Sequence, residues 1–242
     1  MQFAKRLICL LLVVLIAGCA SSTPAAQPTL TVWNVQITPS LGWMKPILHK
    51  CTLQDPEMGV FLLDAAPSEI NLQKSDVTIT WGKTPVETLP IYELGSDALS
   101  IIVNPENGIS SLTVEQLTAI IDGEISQWQQ IGSPIEGDIA WWTVPSGDEG
   151  LEILVSAMEV QPSRNPFAWI APNAEAVLQS VAENPSAMGF IPSRWLNESV
   201  KSIPIEGTDA NTLTQPILAV TRQQPDQKLA GFLQCLQSEI EK

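Results

Sequence analysis

The chain has few of the side chains on which most enzyme and metal sites depend. Its 242 residues contain one histidine, His49, and four cysteines. A histidine-based catalytic triad or a zinc site with several histidines is therefore nearly excluded. No pairing of a nucleophile with a base is visible elsewhere in the sequence. We therefore expect no enzymatic activity, no metal site and no cofactor.

Basic residues are scarce as well. Lys and Arg together number 12 against 26 Asp and Glu, which gives a net charge of −14 at pH 7. This acidity argues against a nucleic-acid partner and against electrostatic adhesion to anionic lipids. Any attachment to a membrane must therefore have another cause.

The first residues provide such a cause. Met1–Arg6 is short and basic, and Leu7–Ala17 is an apolar run that is too short to span a bilayer comfortably. This layout is typical of an export signal. The closing Ala-Gly-Cys, which ends at Cys19, resembles the lipobox of bacterial lipoproteins, where cleavage leaves a lipid-modified cysteine as the first residue. An ordinary signal peptide or an uncleaved anchor is the alternative.

The lipobox resemblance implies how the start of the chain is divided. Residues 1–18 are predicted to be a signal peptide and residues 19–28 a lipidated tether, with the lipid on Cys19. Ser21–Pro28 is small, polar and rich enough in proline to predict a flexible segment. The mature protein is then extracytoplasmic, on the periplasmic or outer face, and anchored to the cell membrane through more than one acyl chain.

Two cysteines remain after the signal and the lipidation site are set aside. These are Cys51 and Cys235. An even pair in an exported protein suggests a disulfide. Two buried free thiols are the alternative.

Hydrophobic patterning predicts alternating strands and helices. Strands are predicted at 29–34, 58–64, 77–81, 98–104, 139–144, 187–191, 200–205 and 217–221. Helices are predicted at 41–51, 113–121, 151–158, 174–183 and 225–239. The first helix has two candidate starts, Pro39 after a Thr38 cap or a point nearer Pro46. The alternation indicates an α/β fold with a largely parallel sheet.

Three segments resemble the substrate-binding proteins of phosphate-type ABC transporters. Residues 98–132 (ALSIIVNPENGISSLTVEQLTAIIDGEISQWQQIG) carry the family's apolar strand, Asn-Pro, helix and Trp-x-x-Ile-Gly tail. Residues 142–157 place Pro-Ser-Gly where the family has a Ser-Gly-Thr turn before a helix. Residues 184–206 (NPSAMGFIPSRWLNESVKSIPIE) resemble its Asn-Pro-x-Ala-Ile-Gly-Tyr strand and the strand after it.

The resemblance implies a two-lobed fold of the type II periplasmic-binding-protein class, with mostly parallel sheets and hinge strands. Lobe one is residues 29–97 plus 207–242, and lobe two is the insertion 98–206. The family binds phosphate or a related small oxyanion between the lobes and delivers it to an ABC permease. The resemblance also places Cys51 and Cys235 in one lobe, and we expect a monomer.

Candidate ligand-binding residues follow the strands that lead to the implied cleft. They are Thr38, Ser40, Thr80, Trp81, Ser146, Gly147 and Asp148. Simple helix capping explains Thr38 and Ser40 equally well. Backbone N–H groups of the Ser146–Asp148 turn are suited to an anion at a helix N-terminus.

This turn also departs from the family pattern. Asp148 stands at the threonine position, and Trp142 and Thr143 stand where an arginine is expected. Ser146 and Glu149 have capping-box spacing, so Glu149 itself is a rival for the backbone amides.

The aromatic content keeps other functions open. The chain has eight tryptophans against one tyrosine, and indole rings stack well on sugars, rings and cations. The first alternative is therefore the same fold binding an organic or cationic solute. The second is a sensor or interaction lipoprotein without a transport role.

Overall fold

A computed structural model of the chain describes residues 30–84, 86, 88–160, 165–209 and 211–242. The predicted signal peptide, Cys19 and the tether lie outside these residues. Contacts join Thr31–Lys242 into one compact unit.

Strands and helices alternate along the described residues. The strands are β1 Thr31–Ile37, β2 Met58–Asp64, β3 Val77–Trp81, β4 Ile91–Val103, β5 Leu112–Thr113, β6 Ala140–Thr143, β7 Trp169–Ile170, β8 Ala187–Pro192, β9 Lys201–Ile203, β10 Ile205–Glu206 and β11 Thr214–Thr221. The α-helices are α1 Lys45–Thr52, α2 Val114–Ile121, α3 Glu149–Met158, α4 Ala174–Glu183 and α5 Gln227–Ile240. Short 3-10 helices cover Pro39–Met44, Pro67–Glu69, Trp128–Ile131 and Ser193–Trp195.

Most of the strands form one mixed sheet with the order β2-β1-β3-β11-β4-β8-β6-β7, and β9 also pairs with β4. The β1 strand is parallel to β2 and β3, and β6 is parallel to β7 and β8. The antiparallel pairs of these strands all involve β4 or β11. The sheet therefore has two parallel parts joined by antiparallel strands, as the two-lobed periplasmic-binding-protein fold requires.

The long strand β4 connects these two parts. Its first residues, from Ile91 to Ala98, pair with β11. Its last residues, from Leu99 to Val103, pair with β8 and β9. The predicted lobe boundary at 97/98 falls inside this strand.

Local sequence signals account for several helix ends. Thr113 and Gln116 form the capping box expected at the start of α2. Asn173 caps α4 by accepting a hydrogen bond from the Ala176 amide at 2.9 Å. The β3 strand is buried along its whole length, which explains why Val77–Trp81 has an almost continuous apolar sequence.

Several predicted boundaries differ from the structure, and three of these differences have a clear physical reason. The strand predicted at 98–104 begins at Ile91, because its first part is stabilised by pairing with β11. The strand predicted at 200–205 is two short strands separated at Pro204, whose nitrogen cannot donate a hydrogen bond. Both candidate starts of the first helix are used: a 3-10 helix begins at Pro39, and α1 has Pro46 in its first turn.

A disulfide joins α1 to α5. It links Cys51 to Cys235, with 5.8 Å between the Cα atoms and 184 residues between the two positions. The neighbouring ion pair between Lys50 and Glu239 joins the same two helices at 2.5 Å. The C-terminal helix is thus fixed to an element near the start of the described chain. None of the helices in the described residues is long and apolar enough to cross a membrane.

Removal of this disulfide should destabilise the protein. The C51A/C235A variant is expected to lose about 3–5 kcal/mol of unfolding free energy, because a closed loop of this length restricts the unfolded chain. Urea denaturation at neutral pH measures the loss. Reduced wild-type protein is the matched control and should unfold like the variant. Equal midpoints for the oxidised wild type and the variant would contradict a native bridge.

Candidate functional site

The candidate site lies where β1 and β3 end and α3 begins. Because β1 and β3 are parallel neighbours, their carboxyl ends meet at one edge of the sheet. Thr38 follows β1 directly, and Trp81 is the last residue of β3. The first turn of α3 is held against this edge by its acidic side chains.

Glu149 makes the central contacts. The Thr38 hydroxyl donates a hydrogen bond to Glu149 Oε2 at 2.5 Å, and the Trp81 backbone N–H donates to Glu149 Oε1 at 3.0 Å. Both carboxyl oxygens therefore have a donor. Glu149 is only 9% exposed, so this contact is shielded from solvent.

The preceding residue, Asp148, makes a similar set of contacts. Its Oδ1 accepts a hydrogen bond from the Ser40 hydroxyl at 2.9 Å and another from the Gly150 amide at 2.9 Å. Asp148 is therefore the N-cap of α3 and also binds the segment after β1. The two hydroxyls and one amide from the β1 and β3 ends are all bonded to carboxyl oxygens of the chain itself.

Two capping hypotheses are wrong. Thr38 makes no side-chain cap to the helix that follows it, since its hydroxyl is bonded to Glu149. Glu149 does not fold back as the partner of Ser146, because Asp148 caps α3 and Glu149 is the first helical residue. A difference of two residues in the position of the cap, Asp148 in place of Ser146, thus directs Glu149 toward the sheet.

The two carboxyl groups have no cationic partner among the described residues. Burial raises the pKa of Glu149 to about 8, against the hydrogen bonds from Thr38 and Trp81 and with a smaller contribution from the charge of Asp148. Burial also raises the pKa of Asp148, although its hydrogen bonds from Ser40 and the helix amides oppose this. Glu149 is therefore largely protonated at neutral pH.

The described arginines are engaged elsewhere. Arg194 lies over the Trp43 ring at 5.5 Å and donates a hydrogen bond to the Ile240 carbonyl. Arg222 pairs with Asp76 at 2.5 Å. Neither arginine lines the cavity beside Glu149, so neither is placed to neutralise an anion there.

A cavity of about 390 Å³ adjoins Glu149. Its wall combines the end of β3, the first turns of α3 and one residue of β11; the principal residues are Thr80, Trp81, Gly147, Glu149, Ile153 and Gln215. Exposed Lys83 and Glu152 lie at the same cavity. Thr80 is 1% exposed, and its hydroxyl has no hydrogen-bond partner within the described part of the chain. The cavity thus contains a buried polar group that is still unpaired.

The structure separates the seven predicted ligand-binding residues into three groups. Thr80, Trp81 and Gly147 line the cavity. Thr38, Ser40 and Asp148 are buried, and their side chains take part in the hydrogen bonds described above. Ser146 is exposed and is not part of the cavity wall. Sequence reasoning assigned Glu149 a capping role and did not identify Gln215, for which the sequence carries no local signal.

Most tryptophans near these strands are structural. Trp33 packs on Phe232 with ring centroids 6.2 Å apart, and buried Trp141 packs on Phe190 at 5.8 Å. Trp81 is the tryptophan at the cavity, and its ring nitrogen donates to the carbonyls of Asp97 and Gln215 at 3.3 Å. The Trp81 side chain is itself only 1% exposed, so its ring belongs to the core and offers a solute little face for stacking.

Comparison with known proteins identifies the family. Residues 63–232, more than half of the chain, match the model of the PBP superfamily domain. The chain therefore belongs to this family.

Solved structures show the same fold. An ABC-type phosphate transport receptor from Vibrio cholerae is 25% identical, with a TM-score of 0.66 over 86% of this chain and 95% of that one. A putative phosphate ABC transporter substrate-binding protein with bound phosphate from Clostridium perfringens is 17% identical, with a TM-score of 0.76 over 85% and 93%. A reduced form of OxyR from N. meningitidis is 14% identical, with a TM-score of 0.63 over 86% and 94%.

The pKa of Glu149 gives a pH prediction. Its folded-state pKa of about 8 lies above the ordinary 4.5, so the unfolded chain releases this proton first. The unfolding free energy should therefore fall as pH rises through this interval and level off above it. At about 1.4 kcal/mol per pKa unit, the expected loss over the whole interval is on the order of 5 kcal/mol. Burial also raises the pKa of Asp97, to about 6, and that of Asp148, so a comparison with a variant at Glu149 isolates the share that belongs to Glu149.

Urea denaturation of wild type and the E149Q variant across this interval measures the effect. Glutamine retains the shape and the hydrogen-bonding capacity of Glu149 but does not ionise, so its profile should be flatter. The E152Q variant, with the change at an exposed carboxylate in the same helix, should keep the wild-type slope. Parallel profiles for wild type and E149Q would contradict the buried, raised-pKa state of Glu149.

Proposed function

We propose that the protein is an extracytoplasmic solute-binding lipoprotein that serves as the receptor of an ABC transport system. Membership of the PBP superfamily supports solute binding, and the signal-like start with Cys19 supports export and lipid anchoring. The proposed lobes are residues 29–97 plus 207–242 and residues 98–206, connected by the β4 strand and the segment that enters β11. The protein has no catalytic role in this proposal.

The contacts at the site cross the boundary between the proposed lobes. Thr38, Ser40 and Trp81 belong to lobe one, whereas Asp148 and Glu149 belong to lobe two. Their hydrogen bonds of 2.5–3.0 Å hold the lobes together at this edge. These contacts support a closed arrangement of the proposed lobes, in which a solute would occupy the adjoining cavity.

The occupied donors decide the class of solute that this geometry favours. A free oxyanion needs hydrogen-bond donors or a cation, and the Thr38, Ser40 and Trp81 donors are bonded to carboxyl groups. The cavity instead combines the Glu149 and Glu152 carboxyl groups, the Gln215 amide and apolar walls, with exposed Lys83 as the only cation among its described lining residues. An uncharged or cationic organic solute therefore fits better than an oxyanion. The single observation that carries this choice is the pair of hydrogen bonds to Glu149.

Phosphate is the second candidate solute. It is supported by the Vibrio cholerae structure, which is named as a phosphate transport receptor and is 25% identical to this chain over 95% of its own length. Phosphate binding at the same donors requires Glu149 and Asp148 to move away. The second candidate therefore implies a rearranged site.

Ligand titration separates the two candidates. Tryptophan fluorescence and calorimetry of the signal-less protein would be followed with phosphate, sulfate, molybdate, neutral sugars, amino acids and polyamines. We expect a response to one neutral or cationic solute and none to phosphate below millimolar concentration. The fluorescence change should be lost in W81F, because Trp81 belongs to the cavity wall, and kept in W33F, because Trp33 packs on Phe232 outside that wall. Saturation by micromolar phosphate would establish the second candidate. Silence toward the whole panel would contradict solute binding.

Lipid anchoring is tested at Cys19. The full-length wild type, expressed in a bacterium, should partition into the detergent phase of a Triton X-114 extract and incorporate labelled palmitate. The C19A variant should lose the label, because the modified thiol is absent. A C9A variant, whose change lies within the predicted signal, should behave like the wild type. Equal labelling of C19A and wild type would contradict a lipid on this residue.

A further inference from the structure

We propose that the Glu149 side chain is a resident ligand, which fills the anion position formed by Thr38 and Trp81 and so excludes free oxyanions from the cleft. The consequence of this assignment for solute choice rests on the proposed function. The experiment described below does not depend on that function. The residue is thus assigned as the specificity determinant of the site.

The geometry of the donors supports this assignment. The Thr38 hydroxyl and the Trp81 amide come from the ends of two adjacent parallel strands and converge on one carboxyl group, at 2.5 and 3.0 Å. A small oxyanion bonded to these two donors would place its oxygens where Glu149 Oε1 and Oε2 lie. Occupation by Glu149 and by a free anion is therefore mutually exclusive.

The start of α3 is also satisfied from within the chain. Helix N-termini attract anions through free amides and the helix dipole, but here Asp148 Oδ1 accepts the Gly150 amide at 2.9 Å. The same Asp148 oxygen binds the Ser40 hydroxyl at 2.9 Å. The two neighbouring carboxyl groups thus take the donors of all three elements that meet at the site.

Removal of Glu149 would leave an unfilled set of donors. Buried donors without acceptors are costly, so the Thr38 hydroxyl and the Trp81 amide would favour a small oxyanion that replaces the lost carboxyl group. Asp148 would still repel an anion, so its replacement by serine, which retains an N-cap, should strengthen the effect.

The experiment is a gain of oxyanion binding. Wild type, E149A and D148S/E149A would be titrated with inorganic phosphate and with sulfate by calorimetry at neutral pH. Wild type should give no binding heat below millimolar concentration. E149A should bind phosphate or sulfate at least about tenfold more tightly than wild type does, and the double variant should bind it more tightly again.

Two controls distinguish occupation of the site from simple charge repulsion. E152A removes an exposed carboxylate from the same helix and cavity but leaves the Glu149 contacts in place, so it should gain nothing. E149Q cannot ionise but keeps the side chain in position, so it should gain far less than E149A. Equal gains in E149A and E152A, or in E149A and E149Q, would overturn the resident-ligand assignment.

A wild-type measurement covers the case in which the alanine variants do not fold. The backbone amide of Trp81, followed by NMR, should shift on E149Q substitution and stay unchanged when phosphate is added to wild type. A phosphate-dependent shift of this amide in wild type would overturn the inference. A folded E149A without gain also overturns it, yet leaves solute binding intact. If E149A gains oxyanion binding while wild type binds none of the organic solutes, the inference is supported and the proposed function is contradicted.

Discussion

The carboxyl group of Glu149, held between the Thr38 hydroxyl and the Trp81 amide, is the contact on which the arrangement of the site depends. It joins residues that are 111 and 68 positions apart in the chain. Through it, the first turn of α3 is fixed to the ends of β1 and β3, and the cavity beside Trp81 takes its shape. Without this contact, the two parts of the sheet would be joined at this edge mainly through Asp148 and Ser40. The hydrogen bonds offset only part of the cost of burying an acid without a cation, as its raised pKa shows.

Sequence reasoning located the regular elements best where the signals are local. The bounds predicted for 58–64, 77–81 and 174–183 agree with β2, β3 and α4. A capping asparagine before α4 and the Asn184-Pro185 pair after it fix that helix without help from the rest of the fold. The first part of β4 was missed, because Ile91–Asp97 has an irregular pattern interrupted by Gly95. Its strand conformation depends on pairing with β11, a partner more than a hundred residues away in sequence.

The site was predictable in position but not in detail. Residues after strands meet at the carboxyl edge of a parallel sheet, and this rule placed Thr38, Thr80, Trp81 and Asp148 in one region. The role of Glu149 was not accessible in the same way. The spacing of Ser146 and Glu149 predicted a capping box at the start of α3, which would turn Glu149 back toward the backbone amides of its own turn. The structure instead caps α3 with Asp148, whose short carboxylate also accepts a hydrogen bond from Ser40. That long-range hydrogen bond has no signature in the local sequence.

The fold by itself does not choose a function, since transport receptors and OxyR proteins share it. The choice lies in how closure of the cleft is stabilised. In a binding fold of two lobes, a bound solute ordinarily supplies contacts that favour the closed arrangement. Here a side chain of one proposed lobe supplies equivalent contacts to the other. Closure therefore does not require an anion in the cleft, and a solute adds to a contact that already exists. Under the proposed function, recognition then depends on the cavity beside Glu149, whose wall includes Trp81, Thr80 and Gln215, and no longer on the anion position itself.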